Sequence, residues 1–341
     1  MVPVSYTRDD IWVRAESPSA VGAVRRMAVE LAEAAGFDAE RTAQTAVAVT
    51  EAVSNLVKHA VEGVVMVRSQ PGDQAVVELI AIDKGPGMPD VARALRDGYS
   101  TSGTLGIGMG AMARMSSWYD VHSLPGRGTV LVMRFAATGA PTSAPHASGL
   151  SRPIGEEVVC GDSFAIAATG DGATPETTIL LCDGLGHGEP AAQASRTAVE
   201  LFLRATDEEP LATLQRLHRG LVHTRGGAVA VARVRAATVS YAGLGNISGW
   251  IVGADGRRGM ISVPGIAGHQ ARQLRQYEFE LPEHATVVLH SDGLTERWDP
   301  SAMQGLFARS PAVVAAGLLR EAGSRRDDAC VVTVRPGDDR D

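Results

Sequence analysis

Glu51 and Asn55 lie four residues apart in a stretch whose apolar residues Ala46, Val49, Val53 and Leu56 recur at helical spacing. Both polar side chains therefore share one helix face, with His59 a turn further on. A carboxylate there can align or deprotonate an attacking group, and an amide oxygen beside it can hold magnesium next to phosphates. The same spacing also describes a solvated helix face. Asp83 ends an apolar run and opens Asp-Lys-Gly-Pro-Gly-Met. An aspartate so placed can accept a hydrogen bond from an exocyclic amine while Gly85 and Gly87 let the backbone approach a flat base, or it can simply turn the chain. Asp97 to Gly110 sets Gly106, Gly108 and Gly110 at alternate positions ahead of the apolar run Ala111 to Met115. Glycines bare the backbone and a helix N-terminus offers unpaired N–H groups, so this stretch can hold phosphates as well as serve as a turn.

A second constellation is acidic: Cys160-Gly-Asp162, Leu181-Cys-Asp183-Gly184, His290-Ser-Asp292-Gly293 and Arg326-Asp327-Asp328, each beside an apolar strand-like run. One Asp-Gly makes a turn without function. Four such sites in one core repel one another unless something positive sits among them. Oxygen donors favour hard ions such as magnesium or manganese, and a pair of these can activate water and neutralise a transferring phosphoryl group.

The elements that must position these groups follow from periodicity. Val4 to Ala15 has an edge-strand pattern, Ser17-Pro18 starts a helix ended by Gly36, and Asp38 caps a second helix reaching Ala60. Val64 to Val67, Ala75 to Asp83 and a hairpin over Tyr119 to Phe135 complete an α/β unit. Ala136 to Leu150, poor in large apolar groups, is expected to be a linker. Beyond it, strands over Cys160 to Ala168 and Thr177 to Asp183 precede helices over Glu189 to Arg204 and Leu211 to Val222. Four short strands between Ala228 and Val263 suggest an antiparallel meander, and Thr286 to Ser291, Ala312 to Ala322 and Ala329 to Arg335 add strand, helix and strand. The expected fold class is thus α/β (α+β) in two domains, residues 1–135 and 151–336, with a tail at 337–341. A net charge of −7 without a long basic run argues against nucleic-acid or membrane binding. The N-terminus lacks the pattern of a signal peptide and no apolar run spans a bilayer, so a cytoplasmic protein is expected. Cys160, Cys182 and Cys330 are too scattered for a disulfide framework; each lies near one of the aspartates, as a redox group or as a small buried hydrophobe.

In order and interval, Glu51-x-x-x-Asn55, Asp83-x-Gly85-x-Gly87 and Gly106-x-Gly108-x-Gly110 resemble the ATP-binding domain shared by gyrase, Hsp90, histidine kinases and MutL. Asp97-Gly-Tyr-Ser-Thr-Ser-Gly-Thr-Leu-Gly-Ile-Gly and the Gly126-Arg-Gly-Thr129 hairpin narrow the likeness to RsbT-like serine/threonine switch kinases over about residues 5 to 135. The resemblance implies a Bergerat-type two-layer sandwich in which Asn55 holds magnesium, Glu51 aids phosphoryl transfer and Asp83 reads adenine. Ser100 to Gly110, with Thr104, Gly106, Gly108 and Gly110, would close over the phosphates of ATP. Leu181-Cys-Asp-Gly-Leu-Gly-His-Gly-Glu-Pro-Ala-Ala, Ser291-Asp-Gly-Leu-Thr-Glu and Arg326-Asp-Asp-Ala resemble SpoIIE-like and RsbX-like type-2C phosphatases over about residues 151 to 336. That likeness implies an α/β-β/α sandwich with two manganese or magnesium ions. Asp183 would bridge them, the Gly184 carbonyl would ligate one, and Asp292, Asp327 and Asp162 would complete the sites. Cys330 stands where the last motif usually has threonine. Together the resemblances imply a kinase and a phosphatase acting on STAS-domain proteins, with a sigma factor or another switch protein as a further partner. The alternative is a phosphatase regulated by a non-catalytic ATP-sensing or partner-binding module.

Overall fold

The computed structural model describes residues 4–6, 10–70, 75–95, 108–138, 144–155, 157–169 and 176–336. They form two compact units, one within 9–144 and 308–320, the other within 1–8, 145–307 and 321–341. Both are layered mixtures of helices and mainly antiparallel sheets, so the two-domain α/β expectation holds. Among the described residues no helix is long and apolar enough to cross a membrane.

In the first unit, five antiparallel strands run in the order Ile11–Arg14, Val64–Gln70, Val76–Ile82, Gly128–Ala136, Trp118–Leu124. Alternate residues, Val65 and Val67, Val77 and Leu79, Met133 and Phe135, point to one face. There they pack on Val24, Ala28 and Ala32 of helix Pro18–Ala34 and on Val49, Ala52, Val53 and Leu56 of helix Ala39–His59. Asp38 caps the second helix, its Oδ1 accepting from Arg41 N at 2.7 Å. The Arg41 guanidinium then donates to Ala136 O, Met115 O and Ser117 Oγ, which fixes the helix start to the sheet. The far end is tied as well, because Lys84 N donates to Val61 O at 2.8 Å. Glu51 and Asn55 therefore sit on a helix held at both ends.

The opposite sheet face carries a buried ion ladder. Arg68, Glu78 and Arg134 occupy neighbouring register positions, Glu78 is fully buried, and Arg68 Nη2 meets Glu78 Oε2 at 2.6 Å. Burial lowers the Arg134 pKa, and the Arg68 charge adds to that, whereas Glu78 draws it back up.

The second unit is a pair of packed sheets. Val4–Tyr6, Asp162–Thr169, Glu176–Gly184, Gly227–Val234 and Thr238–Leu244 lie in that order, with Ser262–Val263 and Tyr277–Glu280 both paired to Thr238–Leu244. The other sheet is Gly256–Met260, Ser248–Gly253, Thr286–His290, Ala329–Val334, Ala147–Arg152. Phe164, Ile179, Leu181 and Tyr241 meet Ile251, Val287, Leu289 and Val332 between them. The intervening residues Leu180 and Cys182 point the other way, onto Val199 and Phe202 of helix Glu189–Leu203 and Leu214 and Leu217 of helix Pro210–Gly220.

Three segments differ from the sequence pattern. Val4 to Ala15 is not one edge strand: Val4–Tyr6 pairs with Asp162–Thr169 and Ile11–Arg14 with Val64–Gln70. Ala147–Arg152, in and beyond the stretch expected as linker, is a strand; its small residues suit the site, since a Cβ at Gly149 would lie 2.5 Å from the Phe164 ring. The expected meander is divided, because the chain leaves one sheet after Leu244, turns through Gly245 at φ +99° and enters the other at Ser248.

Replacing Glu78 by leucine leaves two guanidiniums facing each other without the carboxylate between them. The first unit should lose about 3–5 kcal/mol in urea unfolding, and Glu78→Gln less. A stability within 0.5 kcal/mol of wild type would show that the ladder contributes little (about the spread of ordinary surface changes).

Candidate functional site

In the first unit a cavity of about 400 Å³ opens between helix Ala39–His59, the loop after Asp83 and helix Gly108–Met115. Its volume suits a nucleotide-sized ligand. Glu51, Asn55, Asp83, Gly87 and Gly108 all line it, with apolar walls from Met88, Met109, Met112 and Leu131. Gly85 shapes the turn instead: its N–H donates to Asp83 Oδ1 at 2.6 Å, and a Cβ there would come 2.9 Å from His59 O. Gly87 has φ +66°, and a Cβ on it would lie 2.0 Å from Leu124 O. Gly110 is buried within its helix and is not among the cavity-lining residues. Thr104 and Gly106 lie outside the described residues.

Thr129 holds Asp83 from the other side, a role that sequence spacing did not assign. Its N–H donates to Asp83 Oδ2 at 3.2 Å, while Asp83 N donates to Thr129 O at 2.9 Å. Hairpin chemistry placed Thr129 on a strand, but only the register brings it to Asp83. Burial raises the Asp83 pKa, opposed by the Gly85 and Thr129 N–H groups and then by the charge of Arg320. The result is a buried acceptor with a fixed orientation. Lys58 and Arg93 add cations to the wall.

In the second unit the strand-end aspartates converge. Asp162 and Asp183 are direct cross-strand partners. Burial, and then the Asp183 carboxylate, drive the Asp162 pKa well above the usual carboxylate range. Asp183 is pushed up to about 7 by burial and by the charges of Asp292 and Asp327, and it lies close enough to Asp162 and Asp292 to share protons with them. Asp328 takes a different part. Its Oδ1 accepts from Ile154 N at 2.8 Å and its Oδ2 from Gly161 N at 2.9 Å, so the backbone engages both oxygens, whereas Asp327 is exposed.

Further side chains fix the cluster. Ser291 bonds Asp162 and accepts from Cys330 N at 2.9 Å, and Asn246 Nδ2 donates to Asp292 Oδ2 at 2.7 Å. Behind them, His290 Nε2 accepts from the indoles of Trp250 at 3.2 Å and Trp298 at 3.3 Å. Its Nδ1 therefore carries the proton and donates to Ser291 O at 2.9 Å. Arg257 caps the group, 4.0 Å from the Trp250 ring centroid and 4.3 Å from that of Trp298. Asn246 carries no motif signal in the sequence, and His290 stands in the Asp292 motif without an assigned role. At Gly184 a Cβ would lie 2.1 Å from Ala191 O, so only glycine permits that approach to the following helix.

Among the described residues no three His, Cys, Asp or Glu side chains form a ready metal cage. The donors nonetheless fit a hard divalent ion. They are carboxylates, and Asp162 Oδ2 is buried and reached by no N–H or O–H donor of the described residues. The cysteines are free, with burial pushing the Cys160 and Cys182 thiols well up, which makes them poor thiolate ligands. His187 turns to Glu157, 2.9 Å from its Oε1.

The cavity and the cluster lie in two domains that match two different families. Residues 15–135 match the histidine kinase-like ATPase domain and residues 175–336 match Stage II sporulation protein E (SpoIIE). The chain belongs to the first family through its N-terminal domain, as a homologue of the RsbT kinase, and carries a SpoIIE-type phosphatase domain after it. It is 31% identical over 123 residues to serine/threonine-protein kinase RsbT of Bacillus subtilis, covering 36% of this chain and 92% of that protein. Anti-sigma F factor of Caldanaerobacter subterraneus subsp. tengcongensis is 32% identical over 100 residues, 28% of this chain and 69% of its own length. Among solved structures, RsbX in complex with magnesium aligns with a TM-score of 0.49 and 18% identity over 56% of this chain and 96% of its own.

Two outcomes follow. Asp83→Asn puts an NH₂ group against one of the two N–H donors that hold Asp83, Gly85 N or Thr129 N, so ATP affinity measured by calorimetry should fall about 10- to 100-fold; an unchanged affinity would argue against Asp83 as a nucleotide acceptor. The metal-free cluster holds a proton on Asp183 that the unfolded chain releases above its ordinary value of 3.8. Stability should therefore decline as pH rises from that value toward about 7, with Asp162, held protonated in the same pair, adding to the decline. Asp183→Asn should flatten this decline and manganese should reverse it at neutral pH; thermal melts that show the same slope in both proteins would contradict the assignment.

Proposed function

We propose that the first domain transfers the γ-phosphoryl group of ATP to a serine or threonine of a STAS-type partner and that the second domain removes such phosphates. The chain is then both writer and eraser of one mark in a partner-switching circuit. The observation that carries this reading is the presence, in one chain, of Glu51, Asn55 and Asp83 around one cavity and of a converging carboxylate cluster with an orphaned buried oxygen. RsbT kinase homology and the SpoIIE match support the same pairing.

In the kinase half, Asp83 orients the base and Asn55 offers an amide oxygen to a magnesium ion at the phosphates. Glu51, on the same helix face, accepts the proton of the attacking hydroxyl. Positioning and charge neutralisation carry most of such a transfer. In the phosphatase half, divalent ions supply Lewis-acid charge neutralisation and lower the pKa of water. Asp183 is the central donor, Asp162 and Asp292 flank it, the Gly184 carbonyl and Asp327 complete the set, and Asp328 holds the loops that carry Asp162 and Ile154. Ser291 and Asn246 hold the flanking carboxylates in place.

The test is incubation of the full chain with γ-labelled ATP, magnesium and a STAS-domain protein encoded beside it. Label should reach a partner serine or threonine with wild type and Asp183→Ala, and fall at least about 100-fold with Asn55→Ala. Manganese should then release the label with wild type but not with Asp183→Ala. ATP binding without transfer, together with ATP-dependent release rates, would replace the kinase half by a nucleotide sensor. Absence of manganese-dependent release would remove the phosphatase half.

A further inference from the structure

A phosphoryl dianion approaching the acidic cluster needs a cation beyond the metal ions to orient it, since the side chains around the carboxylates are acidic or neutral and the Arg257 guanidinium behind them is stacked on Trp250 and Trp298 and bonded to Glu296 O. The strand Gly227–Val234 runs antiparallel to Glu176–Gly184, with Gly227 opposite Gly184 and Ala228 opposite Asp183. Arg225, two residues ahead of Gly227, therefore lies at the carboxylate end of the sheet. Leu185 N donates to Gly226 O at 3.0 Å, and a Cβ at Gly186 would stand 3.2 Å from Arg225 Nη1. Gly186 in turn borders the loop that holds Asp162, because a Cβ at Gly161 would lie 3.5 Å from Gly186 O and 2.7 Å from Asp328 Oδ2. The guanidinium is thus contiguous with the metal-binding loops.

Arg225 is also uncommitted. It is exposed and has no hydrogen-bond or ion-pair partner among the described residues. Its neighbours in the same unit, Arg216, Arg233 and Arg235, are all paired with glutamates. Three large hydrophobics are exposed on neighbouring loops: Val158 is 94% exposed, Leu185 51% and Val222 47%. Leu185 lies beside Gly186, Val222 three residues before Arg225, and Val158 follows Glu157, which is bonded to His187. Single exposed hydrophobics need no explanation, but three on loops next to an exposed guanidinium offer contacts that a protein segment would use and a small phosphate ester would not.

We infer that Arg225 receives the phosphoryl group of the substrate and that Val158, Leu185 and Val222 seat the apolar residues flanking a phosphoserine or phosphothreonine in a protein partner. The inference rests on the phosphatase reading of the cluster and assigns to it a recognition surface. Arg225 is the phosphoryl-binding residue of that surface, and the rim sets the preference for proteins over small esters.

Calorimetric titration of inorganic phosphate into the full manganese-loaded chain tests the anion site without turnover. Arg225→Ala should weaken phosphate binding about tenfold or more, Arg225→Lys should restore part of it, and manganese affinity should not change. In steady-state kinetics Arg225→Ala should raise KM for both p-nitrophenyl phosphate and the phosphorylated partner, whereas Leu185→Ser and Val158→Ser should raise it for the partner alone. Equal phosphate affinity in wild type and Arg225→Ala would overturn the inference, as would a loss produced by Arg326→Ala, the exposed guanidinium beside Asp327, in its place. Phosphate binding through Arg225 in a wild type that releases no phosphate from its partner would support the anion site and overturn the phosphatase reading.

Discussion

Carboxylates that converge without a cation among them are the constraint on which the second unit depends. Asp162 and Asp183 face each other across a ladder, and burial raises the cost of charging either. The surroundings are arranged to keep them there. Ser291 and Asn246 satisfy individual oxygens, and the His290, Trp250, Trp298 and Arg257 stack stiffens the backbone that carries Asp292. Such an arrangement costs stability in the metal-free chain and stores it for the ions that relieve the repulsion. Strained acidity of this kind has no structural purpose by itself, which is why the cluster reads as a site.

The first unit solves a different problem, the placement of one buried acceptor. Asp83 has three fixings: its own N–H to Thr129 O, the Gly85 N–H on one oxygen and the Thr129 N–H on the other. A carboxylate with no rotational freedom can discriminate a ligand donor by position, and the flexible methionines around it adapt to the rest of the ligand. The helix that carries Glu51 and Asn55 is tied to the same loop at Lys84. Asp83 and the helix face with Glu51 and Asn55 thus share one frame.

Much of this was legible in the sequence, and the exceptions have physical causes. Glu51, Asn55 and Asp83 could be found because helix and strand periods fix which way they point. Gly85 could be found as a glycine but not as a turn-former outside the cavity, since both uses demand the same missing Cβ. Ala147–Arg152 resembles a linker in composition because its small residues leave room for Phe164, a tertiary fact. Thr129, Asn246 and His290 act across the fold, at separations that no local pattern records. The motifs located the residues that gather at the cavity and the cluster, whereas the side chains that hold them belong to register and packing.

The membership of the two units has a consequence for how the chain is made. Val4–Tyr6 completes the sheet of the second unit by pairing with residues 165–167, and residues 308–320 belong to the first. Each unit therefore waits for sequence that lies on the far side of the other. On the ribosome the first unit cannot finish before nearly the whole chain has emerged, and the earliest strand stays unpaired until Asp162–Thr169 is synthesised. The two units would thus mature together, so that a product truncated before residue 308 completes neither.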